Sequence, residues 1–334
     1  MKIIDFFKRI LSKKENKQLL TTPKTRIQEL SESIDDLELC KMFIEKTKRN
    51  ATPEVMKVVE LYMQGGKRVY EYPLKTRISK GDALELARKF FESIDNSLFE
   101  KYNDIVNGTN TNIIFEMEKF NGKGANVTPP DKIPVKVYVP IKDDLRMLYE
   151  IVHECTHTFD IDNGDNPTRN VLGEVAPQCM ERLVDDFLLE MSDEDIQKYG
   201  FDRNIIGKDI KDRKITTFLS RFNNARTLYR GEGTRKVEAR YMLAQIYSAH
   251  FNKFDKKHKK DKLLSFIECV KNDEFDRANS YFELYINKNA RLNNLHRETY
   301  VDDAISEVVD LIIPKNQGNE ELQRKNIEID KNYR

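Results

Sequence analysis

Leu148–Asp160 reads LYEIVHECTHTFD and carries an H-E-x-x-H formed by His153, Glu154 and His157. On an α-helix of about 3.6 residues per turn these side chains stand at about 0°, 100° and 40° around the axis. The two imidazoles then lie one turn apart on one face, placed to grip one metal ion. Glu154 flanks them, close enough to take a proton from a water held there. The residues before the motif support the helix. Leu145, Leu148, Tyr149 and Val152 recur at i, i+3, i+4 and i+7. Asp143 and Asp144 suit its first turn, near the positive end of the helix dipole. The bland alternative is a helix with two satisfied, partly buried histidines. The chain has only 5 His in 334 residues, and two of them falling in one motif weighs against that alternative.

A hydrolytic metal site needs a third protein ligand and an open fourth position. Val171–Glu190, VLGEVAPQCMERLVDDFLLE, is the next informative stretch. As a helix it puts Glu174, Gln178 and Glu181 on one stripe, at 0, +4 and +7. Val175, Cys179, Leu183 and Phe187 pack the other side. Glu174 is the third ligand this pattern favours, and Glu181 is its rival, since spacing alone fits either. Gln178 and Glu181 are placed to orient the histidines. An acidic stripe facing solvent is the competing reading of the same helix.

HECTH followed by GEVAPQCMERL resembles the thimet oligopeptidase and oligoendopeptidase F family of zinc peptidases. That family carries H-E-x-G-H and then, approximately, E-V/L-P-S-Q-x-x-E. Glu174, Pro177, Gln178 and Glu181 fit the second element, with Ala176 and Pro177 standing where the family has Pro and Ser. Ile133–Val152, IPVKVYVPIKDDLRMLYEIV, resembles the family's strand leading into its catalytic helix. The resemblance implies a gluzincin, that is, a zincin-like core with a glutamate as third ligand. It implies one Zn²⁺ held by His153, His157 and Glu174, with Glu154 as general base in the cleavage of short peptides. It covers Ile133–Phe254 and is strongest in the two metal elements. Three departures stand out. Thr156 replaces the family's Gly, the gap from His157 to Glu174 is shorter, and the whole chain is much shorter. Much of the family's substrate-enclosing helical shell is therefore expected to be absent or reduced.

The family also uses a catalytic Tyr at the start of a helix. Tyr229–Phe251, YRGEGTRKVEARYMLAQIYSAHF, is the matching segment, and RYMLAQIYSAHF within it matches that Tyr to Tyr241. The family's His some turns earlier has no His counterpart, and Tyr229 falls in that region. Gly231 and Gly233 would allow a mobile loop before the helix. A Tyr hydroxyl can donate to the oxyanion of a tetrahedral intermediate. Tyr247 and His250 are alternatives for the same role, against the commoner role of such residues as packing in a helical core.

The rest of the chain sets the frame. Hydrophobic residues make up 39% and charged residues 34%, as in a helical globular protein. Lys+Arg is 57 against Asp+Glu 56, so no global field attracts nucleic acid. Cys40, Cys155, Cys179 and Cys269 form no C-x-x-C, which fits a reducing compartment such as the cytoplasm. Cys155 and Cys179 are expected to be buried and turned away from the metal. Residues 1–17 have an apolar helix face of Ile3, Ile4, Phe7, Ile10 and Leu11. That face suits a docking helix or tail, with weak membrane-surface contact as the alternative. No apolar run is long enough to cross a bilayer.

Helices are expected over Arg26–Lys48, from Pro53 to Met63, and over Ser79–Val106. Asn112–Phe120 and Pro134–Val139 alternate as strands and are read as a small antiparallel sheet beside the active site. Further helices follow over Ile205–Leu228, Lys236–Phe254, Leu263–Val270, Phe275–Asn287 and Arg297–Ile313, with Lys256–Lys262 as a solvated basic link. The expected organisation is a tail over 1–20, a helical lobe over 21–110, a catalytic domain over 111–315 and a polar tail over 316–334. The class is mainly α with a small antiparallel sheet and a zincin-like core.

The expected partner is a peptide, held in part by backbone pairing at a sheet edge. A zinc-containing protein that binds peptide without cutting it is the alternative, and an exported protease toxin is a third reading. An aminopeptidase is disfavoured, because no Gly-x-Met-Glu-Asn is present to bind a free amine.

Overall fold

The computed structural model describes residues 40–50, 53, 56, 74–119, 125–127, 133–159, 174–229, 235–271, 286–287, 291–292 and 297–312. All of them fall in the unit Cys40–Arg334. The expectations for residues 1–39, 57–73, 160–173, 230–234 and 313–334 lie outside the described residues. So does most of the Phe275–Asn287 run.

The described chain is mainly helical. After a helical segment at 40–50 come α1 (Lys80–Ile94), α2 (Asn96–Val106), β1 (Ile113–Lys119), β2 (Asn126–Val127), β3 (Val135–Ile141), α3 (Arg146–Thr156) and α4 (Val175–Leu189). Then follow α5 (Asp193–Lys198), α6 (Arg203–Tyr229), α7 (Arg235–Phe251), α8 (Lys256–Lys271), β4 (Ile286–Asn287), β5 (Arg291–Leu292) and α9 (Arg297–Ile312). Among the described residues no helix is long and apolar enough to cross a membrane.

One helix was expected over Ser79–Val106, and two are found. Asp95 takes extended dihedrals, φ −163° and ψ 141°, and its Oδ1 accepts from the amides of Ser97 and Leu98. A carboxylate that caps the next helix ends the one before it, because the cap residue must leave helical φ/ψ. Ser79 caps α1 in the same way, accepting from the Asp82 amide at 3.1 Å.

The sheet corrects the expected antiparallel pairing. Its order is β1-β3-β2, and the principal pair, β1 with β3, runs parallel, with Ile113 opposite Val135 and Lys119 opposite Ile141. Only the two-residue β2 lies antiparallel on β3, with Val127 opposite Val137. Alternation has the same period in either direction, so it encodes the buried face but not the strand sense. A parallel pair needs a connection of about a dozen residues or more, and the chain has that length between Lys119 and Val135. Val135, Val137 and Val139 turn inward from the central strand and are buried. On that support α3 packs against β3 and α4.

Asp144 sets the start of α3. It is fully buried, accepts from the Arg146 amide at 3.0 Å and pairs with the Arg146 guanidinium. Asp143 and Asp144 thus lie just ahead of the helix rather than in its first turn. The backbone of 76–78 runs beside this corner. Leu145 donates to the Thr76 carbonyl, and Ile78 to that of Asp143.

Helices α1 and α2 reach the core through aromatic rings. Phe91 lies 5.1 Å from Tyr102 and 5.2 Å from Phe159 between ring centroids, and Phe90 lies 5.8 Å from Phe187. Each buried ring of this size contributes about 1.5–3 kcal/mol. On the other side Phe43 meets Phe218 of α6, and α7 packs against α4, α6 and α9.

Two smaller expectations change. Lys256–Lys262 is helical, the first turns of α8, and is solvated at His258 and Asp261 but not throughout. Its Lys259 is buried, pairing with Asp186 at 3.0 Å and Asn252 at 2.8 Å. The described end of the Phe275–Asn287 run, Ile286–Asn287, is strand rather than helix.

Candidate metal centre

The last turn of α3 presents His153 and Glu154, and the helix stops at the second histidine. His157 is its C-cap, with helical dihedrals and its amide donating to the His153 carbonyl at 3.3 Å. The expected one-turn offset between the imidazoles is therefore kept, and the ring centroids lie 4.9 Å apart.

Glu174 arrives from the other side, at the N-cap position of α4, with φ −96° and ψ −9°. Those near-helical dihedrals continue the stripe that α4 carries through Gln178 and Glu181. Pro177 is tolerated in the first turn, where its missing N–H would have had no intrahelical partner. Glu174 Oε2 lies 3.3 Å from His153 Nε2 and 3.7 Å from His157 Nε2. One ligand atom from each of the three residues lies within 4.8 Å of the others. Small transition-metal ions bind imidazole and carboxylate at about 2.0–2.2 Å, which spaces tetrahedral ligand atoms about 3.3–3.5 Å apart. The donor set and its spacing fit that geometry, so this group could hold a metal ion. His157 and Glu174 are both buried, and little of His153 is exposed.

Glu181, the rival ligand, is used elsewhere. Its Oε1 lies 2.7 Å from His153 Nδ1. An ionised carboxylate can only accept, so Nδ1 carries a proton, and Nε2 is the ring nitrogen that faces Glu174. Burial pulls the Glu181 carboxyl upward, but the His153 hydrogen bond and the nearby Arg213 and Arg221 outweigh it and hold it down at about 2. Glu181 is therefore ionised at any ordinary pH.

Neither a protein-family model nor a curated protein sequence matches the chain. Among solved structures it is similar to a Chlamydophila abortus protein described as a candidate peptidase, at 15% identity and a TM-score of 0.45. The likeness covers 82% of this chain and 55% of that one, so this chain spans about half of that protein's length. So distant a likeness leaves the chemistry to be read from the residues themselves.

Glu154 is buried beside the ligands. Burial is the largest influence on it and raises its carboxyl to about 8. His153 opposes that rise, while Glu174, Glu150 and Glu181 add to it. A cation at the centre would add opposing positive charge and favour the ionised form.

The remaining expected site residues are spread over α4, α6 and α7. Gln178 is buried, with its Oε1 at 3.5 Å from the Ser248 hydroxyl. Tyr241 lies under the Arg221 guanidinium, 4.5 Å from ring centroid to carbon, and it is the Arg221 charge that helps lower Glu181. Tyr247 is fully buried. His250 Nδ1 pairs with Asp303 at 2.9 Å, and its ring meets Tyr300 at 4.4 Å. Tyr229, at the end of α6, is 49% exposed. Cys155 and Cys179 are buried free thiols, as expected.

Sequence reasoning missed three residues behind the histidines. Arg213 donates to Glu181 Oε2 at 2.8 Å and to both oxygens of Asp185 at 2.8 Å, and Tyr149 donates to Asp185 Oδ1 at 2.6 Å. Asp185 could have been found, because it continues the Glu174–Gln178–Glu181 stripe by four residues. Arg213 comes from a different helix and leaves no such signal.

Proposed function

We propose that this protein is a zinc-dependent metallopeptidase that hydrolyses peptide bonds, with short peptides as its substrates. The observation that carries the reading is the convergence of His153 Nε2, His157 Nε2 and Glu174 Oε2, with Glu154 on the same helix turn. Two imidazoles and one carboxylate are the ligand types zinc takes in hydrolytic sites. The resemblance of HECTH and GEVAPQCMERL to the thimet oligopeptidase and oligoendopeptidase F family points to the same gluzincin chemistry.

His153, His157 and Glu174 would hold the ion. Bound there, zinc supplies a Lewis acid that polarises the scissile carbonyl and eases deprotonation of water. Glu154 takes the proton of the attacking water and passes it to the leaving amine. Glu181 keeps His153 in the tautomer that offers Nε2. Tyr241 is the donor proposed for the oxyanion. The outer edges of β1 and β2 are places where an extended peptide could pair by its backbone, with little regard for side-chain sequence.

The test is a set of internally quenched peptides offered to zinc-loaded full-length protein. Cleavage that a chelator abolishes and added zinc restores is the expected result. Zinc-dependent peptide binding with no cleavage of any peptide would instead establish the non-cutting binding protein.

A further inference from the structure

The hydrogen bonds behind the centre form a closed circuit that begins and ends on α3. Tyr149, one turn before His153, donates to Asp185 at 2.6 Å. Asp185 accepts from Arg213, Arg213 also donates to Glu181, and Glu181 meets His153 Nδ1 at 2.7 Å. Tyr149 and His153 are four residues apart on α3, and Glu181 and Asp185 are four apart on α4, so the two helices present matching pairs. Arg213, from α6, is the only member that touches both Glu181 and Asp185. Its guanidinium also lies 4.1 Å from the centroid of the Tyr149 ring.

A glutamate alone is a loose support for a histidine, because its side chain turns about several bonds. Here one oxygen of Glu181 faces His153 and the other is held by Arg213, which fixes the plane of the carboxylate. The arginine is fixed in turn by two bonds to Asp185. Lysine could not do this, since an ammonium lacks the planar fork that reaches two carboxylates in set directions. Nor does Lys214 duplicate it, as its single ammonium lies 3.4 Å from Asp185 and 4.0 Å from Glu307.

We propose that Arg213 is a positioning residue of the metal centre, fixing through Glu181 the direction in which His153 offers its Nε2. This rests on the reading of His153 as a metal ligand. It gives α6, which supplies no metal ligand, a part in setting metal affinity.

The test measures zinc affinity of the full-length protein by competition with a chromophoric chelator. The proteins compared are wild type, Arg213→Lys, Glu181→Gln and the double variant. Loss of a group that orients a metal ligand typically weakens affinity about 10–100-fold, and Arg213→Lys is expected to fall in that range. Because Arg213 acts through Glu181, the double variant should bind no more than about twofold more weakly than Glu181→Gln alone. A merely structural arginine would lower the thermal midpoint and leave zinc affinity unchanged. Zinc bound by Arg213→Lys within twofold of wild type, or additive losses in the double variant, overturns the proposal. If Arg213→Lys does not fold, Tyr149→Phe decides, since it removes one hydroxyl from the circuit and no charge. A threefold or larger loss of zinc affinity there supports the proposal, and an unchanged affinity overturns it. Wild-type protein that takes up no zinc overturns the ligand assignment and this inference together. Normal uptake by wild type with no change in Arg213→Lys removes Arg213 alone.

Discussion

Glu154→Gln is expected to keep zinc bound and to lower peptide hydrolysis by about a hundredfold or more. The amide has the size of the carboxylate and leaves the three ligand atoms in place. It cannot take a proton from water, and general base catalysis of this kind contributes about 10²–10⁴-fold. Glu154 is buried on the turn that carries both histidines, so neither bulk solvent nor a surface carboxylate can replace it easily. The check is kcat/KM on a quenched peptide, with zinc stoichiometry measured by mass spectrometry on the same sample. Wild-type turnover in a zinc-loaded variant would remove Glu154 from the mechanism.

The second large effect is on the ion itself. Zinc bound through four ligands typically contributes about 10–16 kcal/mol, so each ligand carries roughly 2.5–4 kcal/mol. His157→Ala should therefore weaken zinc binding by roughly 10²–10³-fold and abolish hydrolysis. The backbone should tolerate the change, because the bond from residue 157 to the His153 carbonyl is made by its amide and not by its ring. Wild type should melt at a higher temperature when zinc is added, since a ligand bound only by the native state stabilises it. His157→Ala should lose most of that rise at the same zinc concentration. A full zinc-dependent rise in this variant would show that the ion sits elsewhere.

The sequence was most legible where one helix carries the pattern. The spacing of His153, Glu154 and His157 forces one face of α3, and the stripe on α4 follows from the same period. It was less legible where two elements must be chosen against each other. Glu174 and Glu181 both suit a ligand by spacing, and the packing of α4 on α3 puts Glu174 at both Nε2 atoms and Glu181 at Nδ1. Strand alternation could not tell a parallel from an antiparallel pair, because both bury the same side chains. Asp95 falls inside the expected Ser79–Val106 helix, whereas its two amide bonds make it a boundary. Lys259 looked solvated within a basic run, and only its burial and its distances to Asp186 and Asn252 show that it is held by partners. Arg213 was invisible because its meaning depends on two acids of another helix.

The contact of Phe91 with Phe159 bears on how small the protein could be made. Phe159 is two residues beyond His157, and the ring it leans on belongs to a helix that supplies no metal ligand. A fragment trimmed to begin at Ile113 would keep both histidines and Glu174 yet bare Phe159 and Phe187 to water. Such a piece would trade a folded interior for a sticky surface, so the shortest autonomous unit has to include α1 and α2.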